Sequence, residues 1–503
     1  MTTTVKVVLA PEGTTLPPAA TGLGEGLALL PGVRVERLVD GMVRLYRGRR
    51  GVALGRLAPA IDPLVDLLAS GICTEELLTE QVLRVGPELR LLDLHLLLQR
   101  LRSGGWLDRI LTFDGAPLLT VRPVSPLPAG PAQRAVPPEP AVPPEPVPPP
   151  DGPGRVRISR FSLLRAGDEG LLMESPLAHV VLVLHDPRAV AVIAALASGG
   201  VADVADELRD AVTTVLLEHS FATGRDGEED FTHLMWAPHE LWFHARSRAG
   251  RHDLPYGGTY WAESLADPPP VVRPSRGTPA ISLFQPDLGA LRRDDPTLTS
   301  VLEDRHSVRD HDDSVPLTLR QLGEFLFRTA RVRHTMREGR NELSDRPYPS
   351  GGACHELEIY PVVRNVDGVE PGLYHYDPAG HRLETVAGPA KPLTALSELA
   401  RISSLMTTPP QVTLVIAARP GRVMWKYQSM AYALTLKHVG VLYQVMYSVA
   451  TAMGLAACAL GGGDADAFAE ATGLSYLAET SVGEFILGSR HVDGKQGSDG
   501  LPA

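Results

Sequence analysis

Cysteine is scarce in this chain of 503 residues. Only three occur, Cys73, Cys354 and Cys458, and no two of them form a CxxC pair. Secreted disulfide scaffolds and structural zinc sites both need clustered cysteines, so neither is expected here. The amino terminus also lacks the positively charged and then apolar pattern of a signal peptide. We therefore expect a cytoplasmic protein without a metal site.

Basic charge and long apolar runs are also in short supply. The formal net charge is −11 at pH 7, whereas proteins that bind nucleic acid usually carry a basic surface. The longest apolar stretch is interrupted by Lys437, His438 and Gln444, which disfavours a membrane span. Neither nucleic acid nor a membrane is therefore an expected partner.

Glycine-rich nucleotide fingerprints are missing too. Neither Gly22–Gly26 nor Gly461–Gly463 matches GxGxxG, so no Rossmann or P-loop site is predicted. A hydrophobic content of 44% and a charged content of 21% are typical of globular proteins. The length predicts two to four domains rather than one.

Proline divides the chain. Residues 123–153 contain fourteen prolines in thirty-one positions, which predicts a semi-rigid linker. Residues 1–122 order short strands, three helices and a hairpin in a winged-helix-like way. Residues 154–265 are predicted to be a second such module with its connector, because Leu68–Gly71 is echoed at Leu196–Gly199. A second linker is predicted at 266–297, the main domain at 298–492, and a flexible tail at 493–503.

The main domain is predicted to be α+β, with helices on a mostly antiparallel sheet. Val412–Ala418 has the continuous apolar run of a buried strand. Met430 to about Met453 predicts a long helix that is apolar on nearly all sides. Such a helix is typical of a large core or a subunit interface, so we expect a homodimer.

Four short segments of this domain carry candidate chemistry. Arg305–Arg309 places two guanidinium groups and a hydroxyl close together, which suits phosphate. Pro349–Ala353 and Cys458–Gly463 are small-residue loops that let backbone approach a planar ligand. Lys426 and Tyr427 form an adjacent base and proton donor. Cys354 is interpreted as a packed thiol rather than a nucleophile.

Taken together, these segments resemble the FMN-dependent nitroreductase fold, in its SagB-type branch. That branch contains the azoline dehydrogenases of ribosomal-peptide biosynthesis. The resemblance covers about 190 residues in the expected order. It rests on the following segments: Arg305–Arg309, Pro316–Leu319, Arg346–Ala353, Gly372–Asp377, Trp425–Tyr427, Met430–Tyr432, Cys458–Gly462 and Leu487–Arg490.

The resemblance implies FMN as the cofactor and assigns residues to it. One set would bind the phosphate and ribityl chain: Arg305, His306, Ser307, Arg309 and Arg490. Pro349, Ser350 and Gly351 would reach the flavin, either within the same chain or from a partner subunit. The isoalloxazine ring would be lined by three residues: Leu460, Gly461 and Gly462.

The resemblance also implies an activity, the oxidation of thiazolines (azolines) in a precursor peptide to thiazoles (azoles). Lys426 and Tyr427 would then be catalytic, with partial burial and nearby arginines lowering the pKa of the lysine. The upstream modules would bind the peptide by strand addition, and a complex with a cyclodehydratase is possible. Two alternatives stay open: a small-molecule nitro or quinone reductase, and a flavin-free scaffold that presents the peptide.

Overall fold

The structure is a computed structural model of the single chain. It describes residues 8–9, 21–48, 50–85, 90–124, 156–224, 227–228, 230–387 and 391–491. Most of the predicted proline-rich linker (125–153) and the predicted tail (493–503) lie outside these residues. The chain divides into two compact units, Met1–Leu254 and Pro255–Ala503.

The first unit is built on a six-stranded antiparallel sheet. Its strands, in spatial order, are Leu23–Leu29, Leu107–Phe113, Ala116–Pro123, Val180–Leu184, Gly170–Glu174 and Leu163–Gly167. A four-stranded sheet accompanies it, with strands Val8–Leu9, Arg34–Arg37, Met42–Arg47 and Arg50–Arg56. Arg157–Ile158 and Ala222–Thr223 form a separate pair. The helices are Asp62–Ser70, Glu75–Val85, Arg90–Ser103, Pro187–Ser198, Asp206–Glu218, Phe231–Leu234 and Pro238–Arg246.

The six-stranded sheet joins the two predicted modules of this unit. Ala116–Pro123, at the end of the first module, pairs with Val180–Leu184 of the second. Three helices followed by a hairpin occur in the first module in the predicted order. The winged-helix assignment itself stays a prediction. Because the modules share one sheet, deletion of the first would expose the middle of that sheet.

The repeated Leu-Ala-Ser-Gly segments have the same structural role in both modules. Each ends a helix that begins at an Asp-Pro pair, the helices being Asp62–Ser70 and Pro187–Ser198. Residues 201–205, which follow the second of these helices, are irregular. Gly199 stops the preceding helix in a left-handed conformation, and five residues are too few to nucleate another.

The second unit is built on a seven-stranded antiparallel sheet, as predicted. In spatial order its strands are Ala280–Ser282, Arg382–Ala387, Gly372–Asp377, Leu357–Val363, Val412–Ala418, Thr480–Gly488 and Ala456–Leu460. Short pairs join Leu317–Thr318 to Val366–Asp367, His334–Glu338 to Asn341–Asp345, and Gly257–Gly258 to Tyr427–Gln428. The helices are Leu288–Asp294, Leu298–Asp304, Leu319–Ala330, Lys391–Ser404, Pro420–Met424, Ala431–Ala452 and Ala465–Thr472, with a 3₁₀ turn at Gly351–Ala353.

Helices cover both faces of this sheet. Leu414 and Ile416 pack on one face in a core shared with Leu319–Ala330 and Ala431–Ala452. Val415 packs on the other face with residues of Lys391–Ser404 and Ala465–Thr472. Burial on both faces explains why Val412–Ala418 is apolar at every position except Thr413.

Local capping signals fix the start of the helix Leu319–Ala330. The Thr318 hydroxyl accepts a hydrogen bond from the Gln321 N–H, and the Gln321 side chain accepts one from the Thr318 N–H. This reciprocal capping box satisfies two backbone donors that the helix itself leaves unpaired.

Residues 255–276 belong to the second unit, although they were predicted to be the end of a module and the start of a linker. Side chains of the Pro420–Met424 region hold their backbone. Arg422 donates to the Pro269 carbonyl over 2.6 Å, Arg419 to Pro270 over 2.9 Å, and Trp425 to Ala266 over 2.8 Å. Proline composition alone gave no sign of these buried donors. We call residues 255–276 the strap.

Two searches of the described residues returned nothing. None of their helices has both the length and the apolar character needed to cross a membrane. Within the same ranges, no three His, Cys, Asp or Glu side chains are grouped as a metal site would require.

Candidate active site

Lys426 and Tyr427 follow the central strand of the second unit by one short helix. The strand Val412–Ala418 is followed by Arg419, and Pro420 is the first residue of the helix Pro420–Met424. Proline suits this position because the N–H that it lacks would have no partner within the helix. The chain then turns and pairs Tyr427–Gln428 with Gly257–Gly258 of the strap. This path buries Lys426 to 9% exposure and half-buries Tyr427.

The glycine loop Pro349–Ala353 meets Lys426 and Tyr427 directly. A Cβ atom placed on Gly352 would lie 2.6 Å from Tyr427 Oη and 3.0 Å from Lys426 Nζ. The backbone of Gly352 has φ +62°, a left-handed conformation that favours glycine. The structure therefore brings the two predicted catalytic residues and one predicted flavin loop into one site.

A buried hydrogen-bonded pair, His438 and Glu356, holds this loop in place. His438 Nε2 accepts a hydrogen bond of 2.7 Å from the Gly351 N–H. Its Nδ1 lies 2.7 Å from Glu356 Oε1, and Glu356 is fully buried. The hydrogen bond from Gly351 requires Nε2 to be an acceptor. Nδ1 therefore carries the ring proton and donates a hydrogen bond to Glu356. The long helix Ala431–Ala452 thus fixes the height of the glycine loop.

The electrostatics of Lys426 differ from the sequence expectation, and the predicted lowering of its pKa is wrong. Burial does act in that direction, but the Tyr260 hydroxyl and the phenols of Tyr427 and Tyr260 favour the charged amine and raise its pKa overall. Burial also raises the pKa of Tyr427, so its hydroxyl stays a proton donor at neutral pH.

Cys354, beside the loop, is inert as expected. Its side chain is fully buried, and burial raises the pKa of its thiol. A buried neutral thiol is a poor nucleophile. Its Sγ lies 3.8 Å from the Gly352 carbonyl, so its contribution is to pack beneath the loop.

A second group of predicted residues gathers at the edge strand Ala456–Leu460. The Val308 N–H donates to the Ala457 carbonyl over 2.9 Å, so residues 305–309 lie along this edge. Ser307 Oγ is 2.9 Å from Tyr447 Oη, which accepts a hydrogen bond from the Ala459 N–H. The Arg305 guanidinium lies 5.3 Å from the centre of the Tyr447 ring.

Three arginines of this group lack acidic partners within the described ranges. They are Arg305, Arg309 and Arg490. Arg490 donates through Nε to the Leu455 carbonyl over 2.9 Å, which leaves its terminal nitrogens for another acceptor. His306 is exposed and bonds its own backbone neighbour Asp304. Guanidinium groups beside a hydroxyl suit a phosphate, so the residues present fit the phosphate end of FMN.

The third predicted segment, Leu460–Gly462, continues from the same strand. Leu460 is buried, whereas Gly461 and Gly462 are exposed. Glu484 pairs with Leu460 across the sheet, and a Cβ on the next residue, Gly463, would lie 2.0 Å from Glu484 Oε1. Burial raises the pKa of Glu484 to about 7. The loop therefore passes over a carboxyl that is partly neutral near physiological pH.

The long helix separates these groups within one chain. His438 contacts the glycine loop, and Tyr447 contacts Ser307 nine residues later. Nine residues of helix span about 13 Å. Lys426, Tyr427 and Ser350–Gly351 thus form one group, and Arg305, Ser307, Leu460 and Arg490 form another.

Sequence reasoning missed several residues of the site. Tyr260, Glu356, His438, Tyr447 and Glu484 all contact predicted site residues but were not proposed. His438 carried a usable signal, because a histidine within an otherwise apolar helix needs a polar partner. Tyr260 carried no comparable signal.

Comparison with known proteins identifies the family to which the second unit is similar. A model of the nitroreductase family matches residues 302–489. A nitroreductase of Methanocaldococcus jannaschii is 32% identical over 176 residues, which cover 35% of this chain and 81% of that protein. The chain belongs to the nitroreductase family. A model of the cyanobactin oxidase ThcOx also matches residues 156–253, so the chain is a nitroreductase-like oxidoreductase of the SagB type, as predicted.

Two curated peptide-processing proteins are also similar over shorter ranges. The trifolitoxin-processing protein TfxB of Rhizobium leguminosarum bv. trifolii is 34% identical over 82 residues, 16% of this chain and 22% of that protein. The microcin B17-processing protein McbC of Escherichia coli is 31% identical over 114 residues, 22% of this chain and 42% of that protein. The chain thus spans less than half the length of either.

Solved structures give weaker likenesses. A nitroreductase from Ralstonia eutropha has a TM-score of 0.34 at 23% identity, covering 48% of this chain and all of that one. The E. coli microcin synthetase McbBCD complex with truncated pro-MccB17 has a TM-score of 0.32 at 20% identity, covering 50% of this chain and 91% of that one.

Proposed function

We propose that this protein is an FMN-dependent dehydrogenase that oxidises thiazolines in a ribosomally made precursor peptide to thiazoles. The observation that carries the proposal is the meeting of Lys426 and Tyr427 with the glycine loop at Gly352. A potential proton acceptor and a proton donor there flank a backbone that a planar ring could approach. The relation to TfxB and McbC, both named as peptide-processing proteins, supports a peptide as the substrate.

The reaction removes two hydrogens from each ring. A proton leaves the ring carbon that was the cysteine α-carbon, and a hydride leaves the neighbouring CH₂. Bound FMN would accept the hydride and be reoxidised by oxygen. The protein must therefore supply a base within hydrogen-bond reach of the first carbon and exclude water from the ring.

Lys426 is the proposed base, and Tyr427 its hydrogen-bond partner or proton relay. Since its pKa is raised, Lys426 is mostly protonated at neutral pH and must lose that proton before it can accept another. The oxidation rate should therefore increase with pH from 7 upward. A rate that falls as the amine deprotonates would instead make the ammonium form the active one.

The cofactor would be held by both groups of residues. Arg305, Ser307, Arg309 and Arg490 suit its phosphate and ribityl chain. The ring would lie between the backbone of Pro349–Gly351 and that of Leu460–Gly462. Purified protein should be yellow and release FMN on denaturation. A colourless protein that binds no added FMN would support the scaffold alternative.

A homodimer would complete the site. The outward side of the long helix exposes apolar Tyr432 and Leu436, at 42% and 39%. The residues around Arg305 that would bind phosphate and the residues around Lys426 lie about 13 Å apart along this helix. One site could therefore take the first set from one copy of the chain and the second set from the other. Light scattering should show a dimer when flavin is bound, and a flavin-loaded monomer would contradict this.

The first unit is the proposed peptide-binding part. Its six-stranded sheet ends at Leu163–Gly167, where Leu163 and Leu164 are exposed. The opposite edge strand Leu23–Leu29 is partly blocked by a bridge between Leu27 and Cys73. An extended leader peptide could therefore add to Leu163–Gly167. Hydrogen exchange should show slower exchange of these amides with precursor peptide, and slowing only elsewhere would contradict this edge.

Other partners and the location in the cell follow from the same proposal. A cyclodehydratase would make the thiazoline that this enzyme consumes, and a complex with it is possible. The three cysteines are unpaired and buried, which suits a reducing cytoplasm. A small-molecule nitro or quinone reductase is the main competitor, and it would not need the sheet edge of the first unit.

A further inference from the structure

The strap is fastened to both sides of Lys426. The Lys426 carbonyl accepts hydrogen bonds from the Thr259 and Tyr260 N–H groups, at 2.9 and 3.0 Å. Trp261 Nε1 donates to the Met424 carbonyl, and Ser429 Oγ donates to Pro255. The strap thus holds the main chain of Lys426, which lies in the turn between the helix Pro420–Met424 and the strand Tyr427–Gln428.

Tyr260 occupies an unfavourable backbone conformation within the strap. Its φ is +53°, which is a genuine outlier for a bulky side chain. Such conformations are unfavourable and persist where surrounding contacts over-determine them. Here the conformation turns the Tyr260 ring toward Lys426, so a smaller residue would suit the turn but lose the contact.

The Tyr260 side chain forms one wall around the amine. Lys426 Nζ lies 5.1 Å from the centre of the Tyr260 ring and 5.5 Å from that of Tyr427. Trp425 packs edge-on against Tyr260, with ring centres 6.1 Å apart, and thereby limits its rotation. The glycine loop also lies beside the amine, because a Cβ atom on Gly352 would be 3.0 Å from Lys426 Nζ.

We propose that Tyr260 is the positioning residue that holds the Lys426 amine over the glycine loop. Neither family model covers it, because it lies between the matched ranges 156–253 and 302–489. The inference rests on the proposed function in one respect, the use of Lys426 in proton transfer. It adds a residue, and it gives the strap a role in that function.

The proposal predicts how the amine titrates. The groups that face Lys426 are the phenols of Tyr260 and Tyr427 and the buried thiol of Cys354, and all three favour its charged form, Tyr260 the most. Loss of the Tyr260 hydroxyl removes a hydrogen bond to a charged group. That should lower the titration midpoint of the amine by about one pH unit.

Lysine NMR can test this without any turnover. The chain has only five lysines, so protein labelled at lysine Cε carbons should give few signals. Lys426→Ala identifies the signal of interest, and exposed Lys437 is an internal reference. Tyr260→Phe should lower the Lys426 midpoint, and Tyr260→Leu, which also loses the ring, should lower it further.

Trp261→Phe is the matched control for strap attachment, since it removes a strap hydrogen bond away from the amine. It should leave the Lys426 midpoint unchanged. The inference is overturned if Tyr260→Phe gives the midpoint of the parent protein, or if Trp261→Phe shifts it equally.

Activity then separates the inference from the proposed function. In flavin-loaded enzyme, Tyr260→Phe should move the rising part of the pH–rate profile to lower pH and reduce the plateau roughly 10-fold. Normal turnover by Lys426→Ala would contradict the proposed function, whatever the result for the Tyr260 variants. Loss of turnover in Lys426→Ala, with an unmoved profile in Tyr260→Phe, would sink only the role of Tyr260.

Discussion

Gly352 offers the sharpest perturbation of the candidate site. Gly352→Ala places a Cβ 2.6 Å from Tyr427 Oη and 3.0 Å from Lys426 Nζ. Both atoms are the ends of side chains, so they should move aside rather than unfold the protein. A left-handed alanine adds roughly 1–2 kcal/mol of strain. Displacement of about 1 Å at reacting groups can cost 10²-fold in rate, so we expect that loss in the turnover number of flavin-loaded enzyme.

Gly339→Ala is the matched control. Gly339 has φ +60°, close to the +62° of Gly352, but nothing lies within 4 Å of its Cβ position. Both variants should therefore lose similar stability in chemical denaturation, and only Gly352→Ala should lose oxidation of a thiazoline peptide. Equal turnover by the two flavin-loaded variants would refute the placement of Lys426 and Tyr427 at the reacting ring.

Three further predictions concern groups around the site. His438→Ala leaves fully buried Glu356 without its hydrogen-bond donor, so the free energy of unfolding measured by urea titration should fall by about 3 kcal/mol, and a change under 1 kcal/mol would contradict the buried pair. Glu484 has a folded pKa of about 7 against roughly 4.3 when unfolded, so the folded state binds more protons between these values and parent stability falls as pH rises. The melting temperature of Glu484→Gln should therefore gain on the parent from pH 5 to pH 8, and a constant difference would count against a neutral carboxyl. Arg490→Ala should weaken FMN binding about 10-fold or more in fluorescence titration, whereas Arg337→Ala, which removes an exposed ion pair, should not.

Local patterns predicted the fold of the second unit well. The apolar run at Val412–Ala418 forms the predicted strand, and Thr318 and Gln321 cap the helix Leu319–Ala330 through residues only three apart. The long helix was expected at Met430 to Met453 and occupies Ala431–Ala452. Such signals survive because hydrophobic period and capping chemistry act locally.

Contacts between residues far apart in the sequence could not be predicted from these local patterns. Glu356 and His438 are 82 residues apart, and the Lys426 carbonyl meets Thr259 and Tyr260 across the strap. Residues 266–276 of the strap were taken for a linker because their prolines suggested no packing, whereas buried Arg419 and Arg422 donate to their carbonyls. The lysine pKa was misjudged for the same reason, since Tyr260 was not known to lie beside it.

The central claim is that Lys426 and the glycine loop serve flavin-dependent oxidation of a peptide ring. Single-turnover mixing without oxygen tests it most directly, by following the flavin absorbance and the mass of a thiazoline-containing peptide together. The account predicts bleaching of the flavin with loss of two hydrogens from the ring, slowed about 10²- to 10⁴-fold in flavin-replete Lys426→Ala. Flavin that is bleached by a nicotinamide cofactor and regains its colour when a nitroaromatic acceptor is added, but that is not bleached by the peptide, would contradict this and favour a small-molecule reductase.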